Sequence, residues 1–137
     1  MPQLTTHEAI VYLMVITSAS DRDMTDLELS RIGEVIHTWP IFVDFDEHKL
    51  IDVARDCQKM LHEDAGVQGV LALTAKAIPT HLHDTAYAAA FEVASVDLEM
   101  RMEEVRILQL LRRHLDVDEL TVAAIERATK ARHRMLT

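Results

Sequence analysis

Residues 10 to 17, IVYLMVIT, form an unbroken apolar run close to the start of the chain. Wound into a helix, such a run has no side suited to water, so it has to be enclosed by other elements. Thr5 followed three residues later by Glu8 is capping-box spacing, which satisfies the free amides at a helix start. We therefore read a first helix of about four turns ending near Ser18. The run is too short to cross a bilayer as a helix, and no basic leader region precedes it.

The rest of the chain supplies amphipathic partners. Thr25 and Glu28 repeat the capping box, Leu29, Ile32, Val35 and Ile36 form the inward stripe of a second helix, and Pro40 closes it. A third helix is expected from Asp46 to Leu61, with Leu50, Val53, Ala54, Cys57 and Leu61 facing inward. The Asp-Ala-Gly stretch ending at Gly66 breaks the chain, and residues 67–77 read as a short, nearly apolar helix surrounded by the others. Thr80 is the expected cap of a fifth helix through Tyr87, Phe91 and Ala94. A sixth covers Arg101 to His114, with Val105, Leu108, Leu111 and Leu115 as its stripe. Asp116 and Glu119 suggest a capping pair for a seventh, with Leu120, Ala123, Ala124 and Ala128 inward. No segment alternates as a strand between hairpin turns. The expectation is an all-α, seven-helix single domain spanning 1–137.

Charge and cysteine usage exclude several functions. Fourteen Lys and Arg against twenty-three Asp and Glu leave a net charge of −9. That field disfavours nucleic-acid backbones and bare anionic membranes and attracts cations or basic protein surfaces. One cysteine makes neither an internal disulfide nor a thiolate metal cluster. Cys57 falls on the inward stripe of the third helix and reads as a packing residue. The default location is the cytoplasm, with no transmembrane segment.

A shift of 76 residues brings Asp21, Met24, Glu28 and Ile32 onto Asp97, Met100, Glu104 and Leu108, sets His7 opposite His83, and puts Val15 opposite Phe91. The first helix-loop-helix unit then falls on the one formed by the fifth and sixth helices. The fourth helix is left as a central apolar element between two pseudo-symmetric three-helix groups. Duplication is one source of this pattern; shared capping and packing demands on two unrelated helix-loop-helix segments are the other.

The stretches ASDRDMTDLELSRI and VASVDLEMRMEEVRIL resemble the paired acidic signatures of the TerB-like tellurite-resistance family. Each carries Asp, an apolar residue three later, Glu seven later and an apolar residue eleven later. Arg22 and Leu98 stand where family members often have Gly after the Asp. The resemblance runs over nearly the whole chain. It implies an all-helical domain with pseudo-symmetric halves, an acidic metal-associated surface, and a role near tellurite-resistance or stress-response complexes without an established enzymatic activity. Asp21 and Glu28 match the first signature, Asp97 and Glu104 the second.

The spacing itself points each Glu inward. Glu28, Ile32, Val35 and Trp39, like Glu104, Leu108, Leu111 and Leu115, follow steps of 0, 4, 7 and 11, so each carboxylate begins an apolar stripe and needs a partner. One option is a hard divalent cation, calcium or magnesium, held with Asp21 or Asp97; the other is that each Glu satisfies helix-end amides of its own connection. An EF-hand is a poor fit, because Asp26 replaces the glycine at the sixth loop position and Ile32 the terminal bidentate acid. Glu34 and His37 form one Glu-x-x-His pair, but its counterpart positions are Leu110 and Arg113, which leaves a di-iron set incomplete. The Trp39–Phe42 segment is read either as a partner anchor or as the closure of the bundle base. The basic run Lys130, Arg132, His133 and Arg134 is read either as a solvated helix end or as a site for an acidic partner. Gly33 is read as a close helix-packing position.

Together these observations lead us to expect a noncatalytic, metal-associated stress-response or tellurite-resistance-related protein. The nearest alternative is a structural or protein-interaction adaptor without metal, with protein partners or self-association. A metal-dependent hydrolase is the remote one.

Overall fold

The computed structural model describes residues 3–19, 24–63, 66–94 and 102–136. Among them are seven α-helices and no strand: α1 (Thr6–Ala19), α2 (Asp26–Thr38), α3 (Leu50–Leu61), α4 (Gly66–Ala77), α5 (His83–Ala94), α6 (Met102–His114) and α7 (Glu119–Arg132). Short 3-10 turns cover Pro40–Phe42, Glu47–Lys49 and Thr80–Leu82. No helix among the described residues is long and apolar enough to cross a membrane.

Both capping boxes form. The Thr5 amide donates to Glu8 Oε1 at 2.9 Å, and the Glu8 amide donates to Thr5 Oγ1 at 3.1 Å. α1 is then buried on all sides from Ala9 to Ser18. It packs mainly on α5 and also touches α2, α3, α4 and α6. Truncating Ile10, Leu13 or Ile16 to Ala would cost about 2–5 kcal/mol, since each is fully enclosed. α4 departs from the expectation of a surrounded helix. Its buried residues are Val70, Leu71 and Thr74, whereas Gln68, Ala72 and Lys76, spaced by four, form a solvent stripe. Much of its apolar content is Ala and Gly, whose exposure costs little.

The starts of three later helices differ from the sequence reading. A 3-10 turn capped by Asp46 precedes α3, which begins at Leu50. Thr80 opens a 3-10 turn, so α5 starts at His83. Asp118 rather than Asp116 caps α7, accepting the Thr121 amide at 2.7 Å. With that cap α7 turns Val122 and Thr129 into the core, half-buries Ile125, and leaves Leu120, Ala123, Ala124 and Ala128 outside. On α6, Val105 is exposed while Ile107, Leu108 and Leu111 are buried. A Cβ on Gly33 would meet only Leu50 Cδ2, at 3.9 Å, so ordinary contact and not close approach surrounds that glycine.

Cys57 is buried, its thiol directed at the Tyr12 carbonyl 3.8 Å away, and burial pushes its pKa well up. A thiol held protonated in this way packs and does not attack. Phe42 closes the base of the bundle, stacked on His7 and edge-on to Phe45, while Trp39 is half-buried.

Candidate functional site

Glu28 is the third residue of α2, and its carboxylate closes the capping box. Oε1 receives the Thr25 amide at 2.9 Å and the Thr25 hydroxyl at 3.1 Å, and Thr25 Oγ1 in turn accepts the Glu28 amide. Glu104 is the third residue of α6 and is half-buried. Asp21 and Asp97 lie outside the described residues. No group of three or more His, Cys, Asp or Glu side chains with metal-holding geometry occurs among the described residues.

His7, at the start of α1, bonds the Ile41 carbonyl just beyond the end of α2 at 2.7 Å. Residues of α2 from Arg31 to Thr38, with Trp39, face Glu92 and Val93 near the end of α5 across a cleft. The opening of α6 follows the end of α5, since Val105 and Leu108 share a cleft with Phe91. Glu28 and Glu104 each open the second helix of a different helix pair.

Two histidines, His7 and His83, serve the backbone. His83 is buried, 7% exposed. Its Nε2–H donates to the Ile78 carbonyl at 2.9 Å, and its Nδ1 accepts the Asp116 amide at 2.8 Å. A carbonyl only accepts and an amide only donates, so this pair of partners dictates a neutral ring with the proton on Nε2. His7 and His83 thus each latch the start of a helix to the segment following the next helix of its unit, α2 or α6. His81 is exposed. His37 pairs with Glu47 on the surface, 2.8 Å away, and not with Glu34. That hydrogen bond, reinforced by the carboxylate charge, raises the His37 pKa above its ordinary value.

Two clefts flank α5. The larger, about 360 Å³, is lined by Arg31, Glu34, Trp39, Glu92 and His133 among others. The Glu92 side chain is only 13% exposed, and it is held by His133 Nε2 and by Arg132 Nη2 at 2.9 Å. Part of the basic run is therefore spent on fixing the end of α7 to α5. The sequence displays that run but not the carboxylate forty residues earlier that engages it. The smaller cleft, about 260 Å³, lies between α5, α6 and α7. In it Tyr87 donates to Glu126 Oε2 at 2.6 Å, and burial together with that carboxylate holds the phenol above its usual range. The hydroxyl of Thr38, in the larger cleft, donates to the Glu34 carbonyl at 2.7 Å, so it is committed to its own helix.

Comparison with family models, with curated proteins and with solved structures gives no significant match to this chain.

Proposed function

We propose that the chain is a noncatalytic helical interaction module that works through its surface in the cytoplasm. The observation that carries this reading is the unburied apolar face of α7, where Leu120 is 82% exposed beside Ala123, Ala124 and Ala128. Single exposed apolar side chains such as Val43 and Met102 are ordinary on a folded domain, whereas Leu120 adjoins three alanines on one helix face that a partner helix could cover. The acidic surface, at net −9, disfavours nucleic acid as a partner and favours protein. The stress-response or tellurite-resistance setting comes from the TerB-like resemblance. An NMR titration of the demetallated protein with an amphipathic helical peptide that carries both acidic and basic residues, with chelator present, tests the reading. Saturable shifts gathered on α7 support it, whereas a surface that binds neither the peptide nor its own copies contradicts it.

A second reading, the binding of calcium or magnesium, is favoured by a separate observation. Shifted by 76 residues, the bounds of α2 fall on those of α6, and the third residue of each is a Glu. The neighbours correspond as well: α1 packs on α2, α3 and α6, and α5 on α6, α7 and α2. This supports two pseudo-symmetric groups, each with its own acidic connection: Asp21 with Glu28, and Asp97 with Glu104. Because each Glu belongs to its own connection, the reading takes two independent cation sites. Calorimetric titration with calcium, magnesium and zinc should then show two equivalents, one lost in Glu28→Gln and the other in Glu104→Gln. No saturable binding, or binding unchanged in both variants, contradicts it.

A further inference from the structure

We propose that the outer face of α7 pairs with the same face of a second copy of this chain, antiparallel and related by a two-fold axis; the proposal rests on the reading of the chain as an interaction module. α7 buries Val122 and Thr129 against the core and half-buries Ile125. On the opposite side Leu120, Ala124, Arg127 and Ala131 follow one another at three- to four-residue steps, flanked by Ala123 and Ala128, and all are exposed. That periodicity suits a helix-pair seam crossed by Arg127, whose long side chain can reach along it to Glu119 of the second copy, and the alanines allow two backbones to approach closely.

Charge identifies the occupant. The beginning of α7 is acidic, with exposed Asp116, Asp118 and Glu119, and its end is basic, with exposed Arg127, Lys130 and Arg134. A uniformly basic or uniformly acidic partner complements only one end of such a helix. A second α7 running the other way complements both. Glu119 and Lys130 are eleven residues apart, about three helical turns, and so share one flank of the seam. In an antiparallel two-fold pair equal flanks face each other, which sets Glu119 of each copy against Lys130 of the second. Ala124 then lies near the crossing point, and Leu120 rests over Ala128 and Ala131 of the second copy. Parallel pairing would bring the two acidic starts together and the two basic ends together. One helix pair falls short of the roughly 1,200 Å² of a stable interface, so the dimer is a weak, concentration-dependent one.

Sedimentation velocity of the full chain, from micromolar to millimolar, reads this directly. The mass should rise from 15.6 kDa toward twice that value with concentration. Glu119→Lys and Lys130→Glu, each bringing like charges together, should weaken association about tenfold. The double exchange should restore it, and Ala124→Lys, which adds two cations beside the two Arg127 at the crossing, should abolish it. Far-ultraviolet circular dichroism confirms that each variant is folded. Restoration in the double exchange supports the pairing. A chain monomeric at every concentration overturns the pairing, while peptide binding on α7 would still uphold the module reading. A dimer indifferent to all four α7 variants also overturns the pairing and moves self-association to another face.

Discussion

His83→Phe tests how the second half of the bundle is tied together. The substitution keeps a flat ring of similar volume and deletes both ring hydrogen bonds. Ile78 is buried, so its carbonyl loses its partner without gaining water, at about 1–3 kcal/mol. Asp116 is exposed, so its amide is partly rehydrated and only the net value of that bond, about 0.5–1.5 kcal/mol, is lost. The combined loss of about 1.5–4.5 kcal/mol is a large share of the roughly 5–15 kcal/mol that holds a domain folded. For 137 residues the unfolding entropy is about 0.3 kcal/mol per kelvin, so the midpoint should fall by about 5–15 °C. Calorimetric melts measure the drop, and native-state hydrogen exchange should show lost protection at the Asp116 amide. His7→Phe is the internal comparison: His7 is half-buried with one such bond, to Ile41, and the loss there should be about 1 kcal/mol. A His83→Phe protein that melts within about 3 °C of the parent, with the Asp116 amide still protected, would refute the latch.

Gly33→Ala should stabilise the protein by about 0.5–1 kcal/mol in chemical denaturation, because a helix-interior glycine there meets nothing closer than ordinary contact. The Thr121 amide bond lowers the Asp118 pKa, so its cap contributes fully above the unfolded aspartate pKa and fades as pH falls through the folded one. The melting gap between the parent and Asp118→Ala should close in acid. The His37 pKa is raised by Glu47, so the opposite sign applies: its contribution is full below the unfolded histidine pKa and is lost as pH rises through the folded one. Melts of His37→Gln should match the parent in alkaline buffer and fall below it in mildly acidic buffer.

Local chemistry made most of the fold legible. Thr5 with Glu8 and Thr25 with Glu28 announce helix starts that the structure reproduces, and Pro40 marks the end of α2. The stripes of α2 and α3 carry Ile and Val, whose burial a helical period defines well. α7 was harder. Three of the four residues expected to face inward are alanines, which sit equally well on either side, and the expected cap, Asp116, stands two residues ahead of the one that forms. Asp118 set the phase, and Val122, Ile125 and Thr129 turned inward instead. The candidate site was less legible because its geometry is tertiary. Nothing near His83 in sequence indicates Asp116, and nothing near His133 indicates Glu92. The spacing put Glu28 and Glu104 in equivalent first turns, and each is the third residue of its helix.

The most direct measurement is a residue-by-residue amide shift map of the ¹⁵N-labelled chain, taken by dilution from millimolar to micromolar and repeated with chelator and with excess calcium or magnesium. If the outer face of α7 is the working surface, concentration-dependent shifts gather on Leu120, Ala124, Ala128 and Ala131, identical with and without the metal. Shifts confined to the surroundings of Glu28 and Glu104, appearing only on addition of the cation while α7 stays silent at every concentration, would contradict it.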